Sequence, residues 1–110
     1  MKVAITGSSS LVEYSLDKYL STDVDEIISF GGEGIDECAK KYAMAYKVKY
    51  TELIPRYDIY GDEAVIVRNK QVADYADYSL VFWDGKSAGT KLFVDMFKKS
   101  GKPIFIIRRK

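Results

Sequence analysis

The sequence predicts an α/β fold: three layers, with a parallel five-stranded sheet covered by helices on both faces. Three observations support this prediction. Short apolar runs of strand length alternate with segments of helical periodicity along the chain. Glycine- and serine-rich turns separate the two kinds of segment, and the chain carries no repeat or low-complexity tract. Because strands and helices alternate, neighbouring strands should run parallel and their crossovers should be right-handed.

Five strands are predicted from the apolar runs. They are the segments 2–6, 24–30, 48–54, 78–84 and 102–109. The third alternates polar and apolar residues, as a strand with one solvated face does, and therefore suits an edge of the sheet. The first and fourth have the composition of fully buried strands. We therefore expect the order 3-2-1-4-5, in which the direction of winding switches between strands one and four.

Four helices are predicted between these strands. They are the segments 10–20, 35–46, 62–75 and 90–99. Ser9 or Ser10 is expected to cap the first helix, with Glu13 completing a capping box. Asp62 is expected to cap the third helix, and Gly101 to end the fourth.

The composition fits one small globular domain that occupies residues 1–110. Hydrophobic residues make up 47% of the chain and charged residues 30%, and no apolar run approaches the roughly 20 residues of a membrane span. No signal peptide follows Met1, so we expect a cytoplasmic protein without a membrane partner.

Several classes of chemistry are excluded by the residues that are rare or missing. The chain has no histidine, which removes the Ser-His-Asp triad and most zinc sites. Its one cysteine, Cys38, has no partner for an internal disulfide and is expected to be a buried thiol. The net charge of +1 argues against nucleic acid as a partner.

Three glycine-rich turns should meet at one edge of the sheet. They follow strands one, two and four and read TGSSS, GGEGID and DGKSAGT. Ligands of open parallel sheets bind beyond the carboxyl ends of the strands, where the strand order reverses. Three helix N-termini at this point would offer free backbone N–H groups and hydroxyls to an anion such as phosphate. Helix capping is the alternative for each turn taken singly, and none matches a Walker A or G-x-G-x-x-G pattern.

The third helix adds two polar candidates. Asn69 falls at an apolar position of the core-facing stripe, and buried polar groups need partners. It therefore either bonds a loop carbonyl or reaches the ligand crevice. Arg68, beside it, can bind a phosphate or carboxylate through two parallel hydrogen bonds.

The segments ITGSSS, SFGGEGIDECAKKYA, VRNKQVADYAD and VFWDGKSAGTK also carry a family resemblance. In order and spacing they resemble the small YpsA-related branch of the SLOG superfamily, which includes DNA-processing protein A and the Lonely Guy phosphoribohydrolases. The resemblance implies a single Rossmann-like domain that binds a nucleotide or nucleotide-derived ligand, and a homodimer or larger oligomer. It implies ligand-binding roles for Gly7, Ser8, Gly31, Gly34, Asp36, Arg68, Asn69, Asp84, Gly85, Ser87, Gly89 and Thr90. The glycine-rich turns themselves add Ser9, Gly32 and Glu33.

The chain departs from this family at three positions. Relatives usually have arginine where Ser9 stands and glycine where Phe30 stands, so a phosphate counter-charge is missing from the first turn. Counting from Thr90 places Phe93 where the phosphoribohydrolases have their catalytic glutamate. The resemblance therefore argues against that reaction by that mechanism.

Three carboxylates have open roles at this stage. Glu33 and Asp36 could accept hydrogen bonds from ribose hydroxyls, as acids do in dinucleotide folds. Glu33, Asp36 or Asp84 could instead hold Mg²⁺ together with a nucleotide, or act as a catalytic base if burial raises the pKa. We therefore expect a nucleotide-binding module or sensor. A hydrolase of N-glycosidic or phosphate bonds is the first alternative, and single-stranded DNA binding, disfavoured by the near-neutral charge, is the second.

Overall fold

The computed structural model describes residues 1–109. Its strands are β1 (Lys2–Gly7), β2 (Glu26–Ser29), β3 (Lys49–Glu52), β4 (Tyr78–Trp83) and β5 (Ile104–Arg108). Its α-helices are α1 (Ile35–Ala45), α2 (Tyr57–Tyr60), α3 (Ala64–Tyr75) and α4 (Ala88–Lys99), and single 3-10 turns occupy Leu16–Lys18 and Gly61–Glu63. No helix within this part of the chain has the length and apolar character needed to cross a membrane.

The five strands form one parallel sheet in the predicted order β3-β2-β1-β4-β5. Strand β1 is central and pairs with β2 on one side and β4 on the other. The inner residues of β1 and β4 are buried, whereas the half-polar β3 lies at an edge. This order confirms the prediction. It could be predicted because a fully buried parallel strand needs a continuous apolar sequence, and an edge strand does not.

Helices cover both faces of the sheet, as predicted. Helix α1 packs on one face, with Ile35, Cys38 and Ala39 buried against strand residues. Helices α3 and α4 pack on the opposite face, where Val72 and Phe97 are fully buried. Two separate apolar cores result, one on each side of the sheet.

The predicted helix 10–20 is wrong. The chain between β1 and β2 contains only the 3-10 turn, because its two buried leucines, Leu11 and Leu16, are five positions apart and cannot share a helical face. Tyr14, which the predicted stripe would bury, is 81% exposed.

The predicted capping box is also absent from this segment. The Glu13 carboxylate accepts the Ser15 N–H at 3.2 Å and an Arg109 Nη at 2.8 Å, so it is used within a turn and by the distant end of the chain. Serine-rich segments favour such turns, because their side chains and backbone form local hydrogen bonds that compete with a helix.

Two further helix starts differ from the predictions. Helix α3 begins at Ala64 without a side-chain cap, so Asp62 does not have the predicted role. Helix α4 begins at Ala88, two residues earlier than predicted, because the Ser87 hydroxyl accepts the Thr90 N–H. Gly101 follows the end of α4 with a φ of 78°, as predicted for a helix stop.

Candidate ligand-binding site

A crevice of about 500 Å³ opens at the carboxyl edge of the sheet, where the strand order reverses. The structure brings nine of the fifteen predicted ligand-binding residues to its walls. They are Gly7, Ser9, Gly31, Gly32, Asp36, Arg68, Ser87, Gly89 and Thr90. All three glycine-rich turns therefore contribute to one site, as the strand order requires.

Hydrogen bonds hold the turns after β1 and β4 side by side. The Ser8 N–H donates to the Phe82 carbonyl at 2.9 Å, and the Ser8 hydroxyl accepts the Asp84 N–H at 3.1 Å. Ser8 is only 1% exposed, so its hydroxyl fixes the two turns instead of facing the crevice. Gly7 is equally constrained, since an added Cβ would lie 2.3 Å from the Phe82 carbonyl oxygen.

The turn after β4 is folded by its own carboxylate. Asp84 Oδ1 accepts the N–H groups of Lys86 at 2.8 Å and Ser87 at 2.9 Å, and these hydrogen bonds lower the Asp84 pKa. The turn places Ser87 and Thr90 at the N-terminus of the 12-residue α4, and their hydroxyl oxygens lie 3.0 Å apart. Asp84 therefore shapes the turn and does not line the crevice.

Only two of the three glycine-rich turns lead into a helix that begins at the crevice, and a third helix, α3, reaches the wall through Val65 in its first turn. Helices α1 and α4 begin at its walls, whereas the TGSSS turn leads into the irregular segment before β2. The first turn contributes backbone and the Ser9 side chain, but no helix dipole.

Arg68 provides an unpaired cation. Its guanidinium carbon lies 4.1 Å from the centre of the Phe30 ring, and its Nε donates to Asn69 Oδ1 at 2.8 Å. Within residues 1–109 the guanidinium makes no other hydrogen bond and no ion pair. Burial lowers the pKa of Arg68, and the charge of Asp36 opposes this shift. A partly desolvated cation that makes no ion-pair contact is costly, and the anion of a ligand would lower that cost.

Asn69 follows neither of the two predicted alternatives. It is 1% exposed, and it lies outside the crevice. Its Oδ1 accepts from Arg68, and its Nδ2 donates to the Met96 sulfur at 3.6 Å. Asn69 therefore contacts the crevice only through Arg68.

Asp36 provides an unpaired acceptor. The carboxyl is 7% exposed, and its Oδ2 accepts the Gly32 N–H at 3.0 Å. No group in the described part of the chain donates a hydrogen bond to Oδ1. Burial raises the pKa of Asp36, while the nearby Thr6 hydroxyl, the Gly32 N–H and the Arg68 charge lower it in part. A buried oxygen without a donor needs a partner, which a bound ligand or a water molecule would supply.

The other predicted residues lie outside the crevice walls. They are Ser8, Glu33, Gly34, Asn69, Asp84 and Gly85. Glu33 is exposed, so the three candidate acids do not converge.

Residues 1–109 contain no group of three acidic, histidine or cysteine side chains placed to hold a metal. A Mg²⁺ ion would have a single carboxylate here, that of Asp36, and would need phosphate oxygens for its remaining ligands.

Sequence reasoning did not assign six residues of the crevice wall to the site. They are Thr6, Phe30, Ile54, Pro55, Val65 and Phe93. Ile54 and Pro55 follow β3, whose carboxyl end shares the edge of the other strands, so the strand order alone could have indicated them. Phe93, at the position of the phosphoribohydrolase glutamate, is 2% exposed and packs against Phe30 with ring centres 5.0 Å apart.

The fold and this crevice define a class: an α/β domain with a crevice at the switch point of a parallel sheet, which is where ligands of such sheets bind. Comparison with known proteins adds no relative, since no family model, curated protein or solved structure matches the chain. Membership of the SLOG superfamily stays a prediction from the sequence motifs.

Proposed function

We propose that the crevice binds a nucleotide or a nucleotide-derived ligand, and that the protein is a cytoplasmic binding module or sensor of the SLOG type. One observation carries the proposal. Within residues 1–109, the same crevice holds a guanidinium that makes no ion pair, Arg68, and a buried carboxyl oxygen that accepts no hydrogen bond, Asp36 Oδ1. A ligand that offers an anionic group and a neighbouring hydroxyl would satisfy both.

The shape of the crevice supports a ligand of this size. Its volume of about 500 Å³ lies within the usual range for small-molecule sites, roughly 300–1,000 Å³. We assign the phosphate to Arg68 and the start of α4, where the Ser87 and Thr90 side chains add hydroxyls. We assign the sugar to Asp36, and the apolar part of the ligand to the wall formed by Ile54 and Phe93.

Calorimetric titration with the common ribonucleoside mono-, di- and triphosphates, and with inorganic phosphate, tests the proposal. At least one nucleotide should bind the wild-type protein. Arg68→Ala should weaken that binding by about 10- to 150-fold, because a hydrogen bond to a charged group contributes about 1.5–3 kcal/mol. Arg56→Ala is the matched control, since Arg56 is exposed and pairs with Asp58. If no nucleotide binds, or if both variants lose affinity equally, the assignment of the crevice is wrong.

A hydrolase of N-glycosidic or phosphate bonds is the second candidate, and Asp36 is the observation in its favour. A buried carboxyl with a raised pKa and a free oxygen can serve as a general acid or base. Incubation with mononucleotides should then release free base, ribose phosphate or inorganic phosphate, and Asp36→Asn should abolish the release. Saturating binding without any product would eliminate this candidate.

The predicted homodimer is checked separately, by light scattering of the purified protein.

A further inference from the structure

Asn69 is poorly satisfied for a polar side chain in a protein interior. It is 1% exposed and lies on α3 among apolar neighbours such as Val72. A side-chain amide can make about four hydrogen bonds, but Asn69 makes two, one of them to the weak thioether acceptor of Met96. An apolar side chain of similar volume would avoid this cost.

Asn69 fixes the orientation of the Arg68 side chain. The 2.8 Å hydrogen bond fixes Nε, and the Phe30 ring 4.1 Å from the guanidinium carbon covers one face of the group. A guanidinium carries five N–H donors, so four remain, all on the two Nη nitrogens. None of these four makes a hydrogen bond within residues 1–109. The edge left for a ligand is therefore the pair of Nη nitrogens.

We propose that Asn69 is a positioning residue, which holds Arg68 so that its two Nη groups face the anion of the ligand. The effect on ligand binding rests on the proposed function of the crevice. The positioning of Arg68 does not rest on it, because the hydrogen bond from Nε exists in the protein without a ligand.

Asn69→Leu separates this role from a purely structural one. It removes the acceptor and replaces a poorly satisfied amide with an apolar side chain. We expect the variant to unfold at the same or a higher urea concentration than the wild type. Its affinity for the nucleotide bound best by the wild type should fall about tenfold, because a misaligned charged donor loses much of its contribution. A structural role predicts the reverse pattern, a loss of stability with affinity retained.

The Arg68 Nε–H signal in a ¹H–¹⁵N spectrum gives a second readout that needs no ligand. It should be protected from solvent exchange in the wild type and lose that protection in Asn69→Leu. Asn69→Asp, which has nearly the same size, should keep the protection but bind the nucleotide more weakly, because its carboxylate neutralises Arg68. Met96→Leu is the matched control: it removes the other partner of Asn69, and should keep both the signal and an affinity within about twofold of the wild type.

Failure of this proposal differs from failure of the proposed function. If Arg68→Ala weakens nucleotide binding and Asn69→Leu does not, Asn69 is not a positioning residue, although the crevice binds the ligand. If the wild type binds no nucleotide, the proposed function fails, and the exchange of the Arg68 Nε–H alone decides the role of Asn69. An unprotected Nε–H in the wild type would overturn it.

Discussion

Replacing Gly34 with alanine tests how the start of α1 is fixed beside the crevice. Gly34 precedes α1 with φ 69° and ψ −116°, a conformation that residues with a Cβ rarely adopt. An added Cβ would lie 2.5 Å from the Leu11 carbonyl oxygen and 2.6 Å from that of Ser9. Both neighbours are backbone atoms, so the strain cannot be relieved by rotating a side chain.

The expected cost has two parts. A disfavoured backbone conformation costs of order 1–3 kcal/mol, and forcing an extra carbon into a packed site costs about 1–3 kcal/mol. Gly34→Ala should therefore lower the free energy of unfolding by roughly 2–6 kcal/mol, out of the ~5–15 kcal/mol typical of such a domain. Because Ser9 lines the crevice, displacement of its backbone should also weaken nucleotide binding.

Urea unfolding followed by circular dichroism measures this difference, and Gly89→Ala is the matched control. Gly89 lies in the first turn of α4, where an added Cβ meets no atom within 4 Å. The control should be more stable than the wild type by about 0.5–1 kcal/mol, because alanine favours a helix over glycine. A Gly34→Ala variant within ~0.5 kcal/mol of the wild type would refute the argument, since that is the range of neutral substitutions.

Three further predictions concern stability. Asp36→Asn should stabilise the ligand-free protein. The folded state keeps Asp36 protonated up to a higher pH than the unfolded chain does, because its pKa is raised. Wild-type stability therefore falls as pH rises from the pKa of the unfolded chain through the raised pKa of the folded state. Urea unfolding at several pH values measures this effect. The difference in free energy of unfolding between variant and wild type should grow between the two pKa values, and a constant difference would contradict the prediction. Lys102→Met should cost about 1–3 kcal/mol in the same assay, because Nζ donates to three carbonyls at the end of α3 at 2.7–2.9 Å, and an unchanged midpoint would contradict this. Phe93→Ala should lower the free energy of unfolding by about 3–5 kcal/mol, because the ring is 2% exposed and its removal leaves a cavity. A decrease under ~1 kcal/mol would contradict this, and would show that the surrounding residues fill the cavity.

The strand order could be predicted because it depends on patterns within single segments. Strands β1 and β4 are continuous apolar runs, which only the centre of a parallel sheet buries on both faces, and β3 alternates as an edge strand does. Once the order is known, the carboxyl ends of the strands must share one edge. This is why the glycine-rich turns, together with Asp36 and Arg68, could be placed at one crevice from the sequence.

The roles of individual polar residues could not be predicted in the same way. Ser8 and Asp84 have residue types suited to a ligand site, but the structure uses them to join two turns and to fold one. Asn69 bonds its own neighbour, Arg68, and a sulfur atom 27 positions away. Which donor meets which acceptor depends on distances between segments, and these are set only when the chain packs.

By itself, the sequence determined the five strands, three of the four predicted helices, the parallel sheet and the edge at which a ligand site can form, because these follow from local periodicity and from the handedness of the chain. Only the tertiary structure decided that the segment between β1 and β2 stays irregular. Its leucines, Leu11 and Leu16, are buried in the core beneath α1, and Glu13 bonds Arg109, 96 positions away. Packing likewise brought to one crevice two groups that are incompletely satisfied within residues 1–109, the Nη nitrogens of Arg68 and Oδ1 of Asp36, because the positions of both depend on contacts between distant segments.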